Sequence, residues 1–344
     1  VPQNYFTPIR LVLAFLVAFE HVFYFQAGTA DSPFELGHTS LGYFAVNGFF
    51  ILSGYLITGS AERSDDILVF ARSRLLRIMP ALIFVTLVLG LVVVPLLSKA
   101  DLTSYYANGK VWADMAKLAS FVDPNPDWLG LTMAGNPFAG DVTGPIWTLR
   151  YEVLAYLGTA ILLLVGLHRN LVIILVGAVV STVLFAIDLE THFIRDTNAT
   201  LGSLVRFGSC YLYGAVTYLL AKRAKLAMKF AVPSLLLGAA MILFGRNSGE
   251  ILMNLALTPI LFAVAFSEAR APKWLTKPPD FSYGLYIFHW PIYQLLTEMV
   301  GRPPNSALLF GVGLPLAVMA ALASWYLLEK PMLRLKSPAA FRPD

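Results

Sequence analysis

The feature that most constrains this chain is its division into apolar blocks of roughly 17 to 23 residues, about the length a helix needs to cross 30 Å of hydrocarbon. A backbone in lipid must satisfy its own hydrogen bonds, so long apolar blocks read as helices. Ten spans are read, at 5–27, 41–59, 79–98, 144–166, 171–188, 204–221, 231–245, 251–267, 282–299 and 307–328. Leu, Val, Ala and Phe dominate them, and the two-residue alternation of an outer-membrane barrel is absent. Only 13% of the 344 residues are charged, against about a quarter in soluble domains. The expected fold is an all-α polytopic membrane protein of about ten transmembrane helices.

Orientation follows from Lys and Arg. With the N-terminus in the cytoplasm, sixteen of the 25 fall on inner segments and six on outer ones. That bias puts both termini in the cytoplasm. The sequence pI of about 9 then reflects cationic inner loops facing anionic lipid, with no nucleic acid as partner. One domain is expected over 1–344, with a large outer loop at 99–143 and no appended soluble domain. Within that loop Trp112, Met115, Leu118 and Val122 are spaced like one helical face that lies along the interface. The segment 60–78 reads as a short basic amphipathic link between spans two and three. A first block this long and this polar does not read as a signal peptide, and the lone Cys210 excludes an internal disulfide framework.

Ionisable residues inside the spans carry the functional reading. "RLVLAFLVAFEH" holds Arg10, Glu20 and His21. Arg10 and His21 are eleven residues apart, which puts them on one helical face about 16 Å apart along the axis. Such groups by default face a cavity or a partner. Span two, running inward, brings Asn47 to a depth similar to His21 and Ser53 deeper. "FARSRLLRIMP" sets Arg72, Arg74 and Arg77 at the cytoplasmic side, as positive-inside anchors or as a phosphate clamp, since guanidinium forks suit phosphate oxygens. Glu152 falls level with His21 and either orients the imidazole or pairs with Arg150 as a structural bridge. His289 reads as a satisfied core histidine. His38, His168 and His192 lie in loops and look incidental, and "NAT" at 198–200 matches a glycosylation sequon. No pair of His or Cys has metal-ligand spacing, so no metal is expected.

Six motifs, in order, resemble the integral-membrane acyltransferase family 3, bacterial O-acyltransferases that decorate exopolysaccharide, lipopolysaccharide and related glycans. They are Arg10 with ten residues before His21, "GFFILSGYLI" with Ser53, "RSRLLRIMP", "IWTLRYE" ending at Glu152, "FSYGLYIFHWP" with Ser282, Tyr286 and His289, and "LLEKP" with Glu329. Many members carry an acidic residue where Asn47 stands. The resemblance implies transfer of an acyl group from cytoplasmic acyl-CoA, acetyl-CoA or succinyl-CoA, to a glycan hydroxyl at the outer face of the bacterial inner membrane. Lipid and a glycan acceptor, lipid-linked or not, are then the other partners. In that reading Arg10, Arg72, Arg74 and Arg77 hold the donor phosphates. His21 takes the proton from the hydroxyl or is itself acylated, Glu152 orients it, and Asn47 or Arg150 meets the oxyanion. Trp147, with Trp112 and Trp128, either stacks on sugar or anchors at the interface. Two other classes remain open from sequence: a secondary transporter or exporter of a lipid-linked sugar, and a noncatalytic subunit of a polysaccharide assembly complex.

Overall fold

The computed structural model describes residues 4–29, 33–34, 39–64, 66–98, 101–126, 128, 136–220, 224–267, 272, 278–300 and 305–335. His38 and the residues 129–135 of the outer loop lie outside them. The helices in chain order are α1 (Phe6–Ala27), α2 (Leu41–Ser64), α3 (Ile67–Leu97), α4 (Leu102–Ala107), α5 (Gly109–Ala119), α6 (Gly144–Leu164), α7 (Leu171–Thr191), α8 (Phe193–Thr197), α9 (Ala199–Leu219), α10 (Ala224–Leu243), α11 (Gly249–Ala265), α12 (Ser282–Val300) and α13 (Ser306–Leu333).

Among the described residues, ten helices have 17 residues or more, one at each apolar block. Six of them, α1, α2, α3, α6, α7 and α13, are long and apolar enough to cross a membrane. The protein is therefore a helical multi-pass membrane protein. α9 and α12 fall short on hydropathy because they carry polar groups inward: Ser209 on α9, and Ser282, His289, Gln294 and Thr297 on α12, are all buried. The apolar side chains instead face outward. On α7, Val172, Val176, Val179, Val180 and Val183 are all more than half exposed, an outside that only lipid suits.

The link at 60–78 is not a separate element. α2 runs on to Ser64, and α3 starts at Ile67, where the Asp66 side chain accepts from Leu68 N at 2.7 Å. The basic residues therefore ride on the first turns of α3. In the outer loop, α5 buries Val111, Asp114, Met115 and Leu118. Trp112 and Val122 are exposed, so the expected face is rotated. Asn198 of the "NAT" stretch caps α9, accepting from Leu201 N at 3.1 Å.

α2 is the axis of the bundle and touches α1, α3, α6, α9 and α11. Its closest approach is to α9. A Cβ at Gly54 would overlap the Tyr211 carbonyl, and one at Gly214 the Ile51 carbonyl, so both positions require glycine. α12 packs on α1, α3 and α13. Side-chain pairs Arg10–Asp280 and His21–His289 join α1 to the α12 region at two successive levels, so these helices run parallel. Between α1, α2, α3, α6 and α12 lie two cavities.

Candidate active site

The inner cavity, about 150 Å³, is lined by Arg10, Arg74, Arg77, Ser53, Glu152 and Tyr156, with apolar side chains of α2 and residues of α3, α6 and α12 completing the wall. Asp280, in the turn before α12, organises its cations. Arg10 donates to Asp280 Oδ2 at 2.7 Å and Arg77 to the same oxygen at 3.0 Å. Burial would raise the Asp280 carboxyl, but the two guanidiniums outweigh it and hold it down at about 2. Arg77 also lies 3.5 Å from Glu329 Oε2. Glu329 closes a π-helical turn, Trp325–Glu329, within α13, and the wider turn aims it inward, where Ser324 donates to it at 3.1 Å. Arg74 bonds only hydroxyls, Ser73 at 3.1 Å and Ser60 at 3.3 Å, and lies beside the rings of Phe70 and Tyr156. Of the three arginines, it alone makes no hydrogen bond or ion pair to a carboxylate among the described residues.

Arg72 does not join them. It is exposed, because two residues on a helix turn it about 200° from Arg74. Glu152 is also displaced from its expected role. It accepts from Ser53 at 2.9 Å and Tyr156 at 2.8 Å in the inner cavity, and does not orient His21. The first turn of α6, Gly144–Thr148, is a 3₁₀ helix. At about 2.0 Å rise per residue it carries Glu152 deeper than an α-turn would. Among the described residues Arg150 forms no bridge with Glu152, which bonds Ser53 and Tyr156 instead. It clasps the outer loop through the carbonyls of Phe121 at 3.0 Å and Val122 at 2.6 Å. Asn47 is fully buried outside both cavities, donating to Glu250 and Asn254 at 3.0 Å each, while Glu250 also accepts from Arg206 at 2.7 Å. Neither Arg150 nor Asn47 lines either cavity.

The outer cavity, about 300 Å³, is lined by His21, Glu20, Tyr24, Asp141, Trp147 and Trp290, among others. Trp147 thus lines the same cavity as His21. His21 is partly buried against the edge of Trp290, and its partner is His289: Nδ1 of His21 lies 2.7 Å from Nε2 of His289. His289 is not merely a packed core residue. Its Nδ1 lies 2.9 Å from the Leu285 carbonyl, which can only accept, so that nitrogen carries the proton. In the neutral pair His289 Nε2 then accepts from His21 Nδ1–H, and His21 Nε2 is left with its lone pair. The arrangement fixes a base at that nitrogen.

The two cavities share Val46, Thr148 and Tyr286. Thr148 donates to the Pro145 carbonyl at 3.0 Å, which leaves the Tyr286 phenol to donate to Thr148 at 2.7 Å. Ser282 donates to Asp280 Oδ1 at 2.8 Å and so belongs to the arginine cluster. Two residues were missed from sequence: Asp280, whose signal was an acid placed just before span nine among inner-loop cations, and Tyr156, which shows no signal beyond its four-residue spacing from Glu152.

The family profile described as an acyltransferase domain matches residues 4–329. The chain belongs to the acyltransferase 3 family. The resemblance drawn from the six motifs is borne out. Among relatives, the O-acetyl transferase of Shigella phage Sf6 is 27% identical, with 98% of each chain covered. Nodulation protein 10 of Rhizobium leguminosarum bv. viciae is 26% identical over 99% of this chain and 96% of that one. O-acetyltransferase OatA of Staphylococcus aureus (strain NCTC 8325 / PS 47) is 24% identical over 87% of this chain, which spans 54% of its length. No solved structure matches.

Proposed function

We propose that this acyltransferase 3 protein moves an acyl group from acyl-CoA at the cytoplasmic face of a bacterial inner membrane to a glycan hydroxyl at the outer face. The observation that carries this reading is the stacking of two cavities along α1, one cationic and one holding a tautomer-fixed imidazole, whose linings share Val46, Thr148 and Tyr286. Arg10, Arg74 and Arg77 hold the anionic nucleotide below, with Arg74 the least committed. The flexible arm of coenzyme A rises along α2 and brings its thioester past Tyr286. His21 Nε2 accepts the proton of the acceptor hydroxyl, whose oxygen attacks the thioester carbonyl, and coenzyme A leaves as the thiol after taking up a proton. The names of the phage and staphylococcal relatives support O-acetyl transfer and so acetyl-CoA, while a cavity with three arginines also suits the second carboxylate of succinyl-CoA.

The test uses purified full-length protein in proteoliposomes with acetyl-CoA or succinyl-CoA outside and an acceptor glycan inside. Thiol release with acylated glycan is the expected result. Glycan flux without acylation would make the protein a transporter, and neither result would make it a noncatalytic subunit.

A further inference from the structure

Glu20 has no part in the chemistry just described, yet it lines the outer cavity beside His21 and is 1% exposed. One of its oxygens is fully used. Oε2 accepts from Gly42 N at 2.7 Å, Ser40 Oγ at 2.9 Å and Tyr24 OH at 3.2 Å, so the side chain of α1 caps the first turn of α2. Gly42 permits this, since a Cβ there would overlap Oε2. A helix cap explains Oε2 only. Oε1 is buried and has no hydrogen-bond partner among the described residues. A buried acceptor left unpaired is costly, and because Glu20 lines the cavity that holds His21, a ligand bound there is a natural source of the missing donor.

We infer that Glu20 is an acceptor-recognition residue, whose Oε1 receives a hydrogen bond from a second hydroxyl adjacent to the one that His21 deprotonates. The site then selects vicinal diols, the arrangement found around a sugar ring, over isolated alcohols. This rests on the O-acyl transfer reading above. Glutamine at position 20 must turn its oxygen toward the three donors that hold Oε2. Its amide NH₂ then stands where Oε1 was, and an acceptor site becomes a donor site.

The experiment compares acetyl transfer from acetyl-CoA to trans-cyclohexane-1,2-diol and to cyclohexanol, by mass spectrometry, with full-length protein in nanodiscs. The wild type is expected to favour the diol tenfold or more in kcat/KM. Glu20→Gln, and Gly42→Ala, which displaces the carboxyl group but keeps it, are each expected to bring the ratio close to one. A wild type that acylates both alcohols equally overturns the assignment, whether or not either variant folds. So does a folded Glu20→Gln that keeps the preference, or thioester consumption without acylation of either alcohol. A wild type that consumes no thioester at all overturns the acyl-transfer reading itself.

Discussion

Leucine at position 289 removes the group that fixes the His21 ring while keeping comparable bulk. The 2.7 Å bond between His21 Nδ1 and His289 Nε2 is the ring-to-ring link of the pair, and His289 is fully buried. Without it His21 Nδ1–H loses its acceptor, and the tautomer with the proton on Nε2, useless as a base toward the cavity, is no longer excluded. Stranding a buried donor costs about 1–3 kcal/mol, which as lost transition-state stabilisation is roughly a 5- to 150-fold fall in kcat/KM. The fall should appear in kcat, with the KM for acyl-CoA unmoved, because the inner cavity does not include His289. His289→Gln offers an amide oxygen to His21 Nδ1–H and should recover most of the loss. Initial rates of thiol release in the presence of an acceptor glycan measure both variants, and thermal midpoints check that they fold. Folded His289→Leu with wild-type kcat, or His289→Gln no better than His289→Leu, would refute the relay.

Arg74→Ala should raise the KM for acyl-CoA by about ten- to a hundredfold, the range for losing a hydrogen bond to a charged group. An unchanged KM would remove Arg74 from the donor site. Asp280→Asn should lower stability by roughly 2–3 kcal/mol near neutral pH, because Asp280 titrates at about 2 in the fold against an ordinary 3.9. A depressed carboxyl contributes in full above about pH 4 and loses its contribution as pH falls through 2. The gap between wild-type and Asp280→Asn thermal midpoints should therefore close between pH 5 and 2, and a constant gap would contradict the ion-pair account.

The helices were legible because lipid imposes one rule on every block: apolar side chains outward and no unpaired backbone. That rule located ten long helices, and the shared face of Arg10 and His21 followed from helical phase. Helical phase likewise separates Arg72 from Arg74. What lay beyond reach was partner choice. Glu152 was matched to His21 by depth, and depth counted in α-helical steps fails across a 3₁₀ turn. His289 is 268 residues from His21, and Glu250 is 203 from Asn47. A histidine within an apolar block reads the same whether it packs or relays, and only the facing helix decides. Asn47 shows the converse: a polar residue at the right depth that serves the structure, held in a buried network with Glu250, Asn254 and Arg206.

The most direct test is acyl transfer by His21→Gln, because His21 Nε2 is the atom on which the proposed chemistry turns. Purified wild type and variant, each shown to fold, are given radiolabelled acetyl-CoA and an acceptor glycan, and label in the glycan is counted. Wild-type label with none above background for the variant is the predicted result. A folded variant that labels the glycan at close to the wild-type rate would place the base elsewhere.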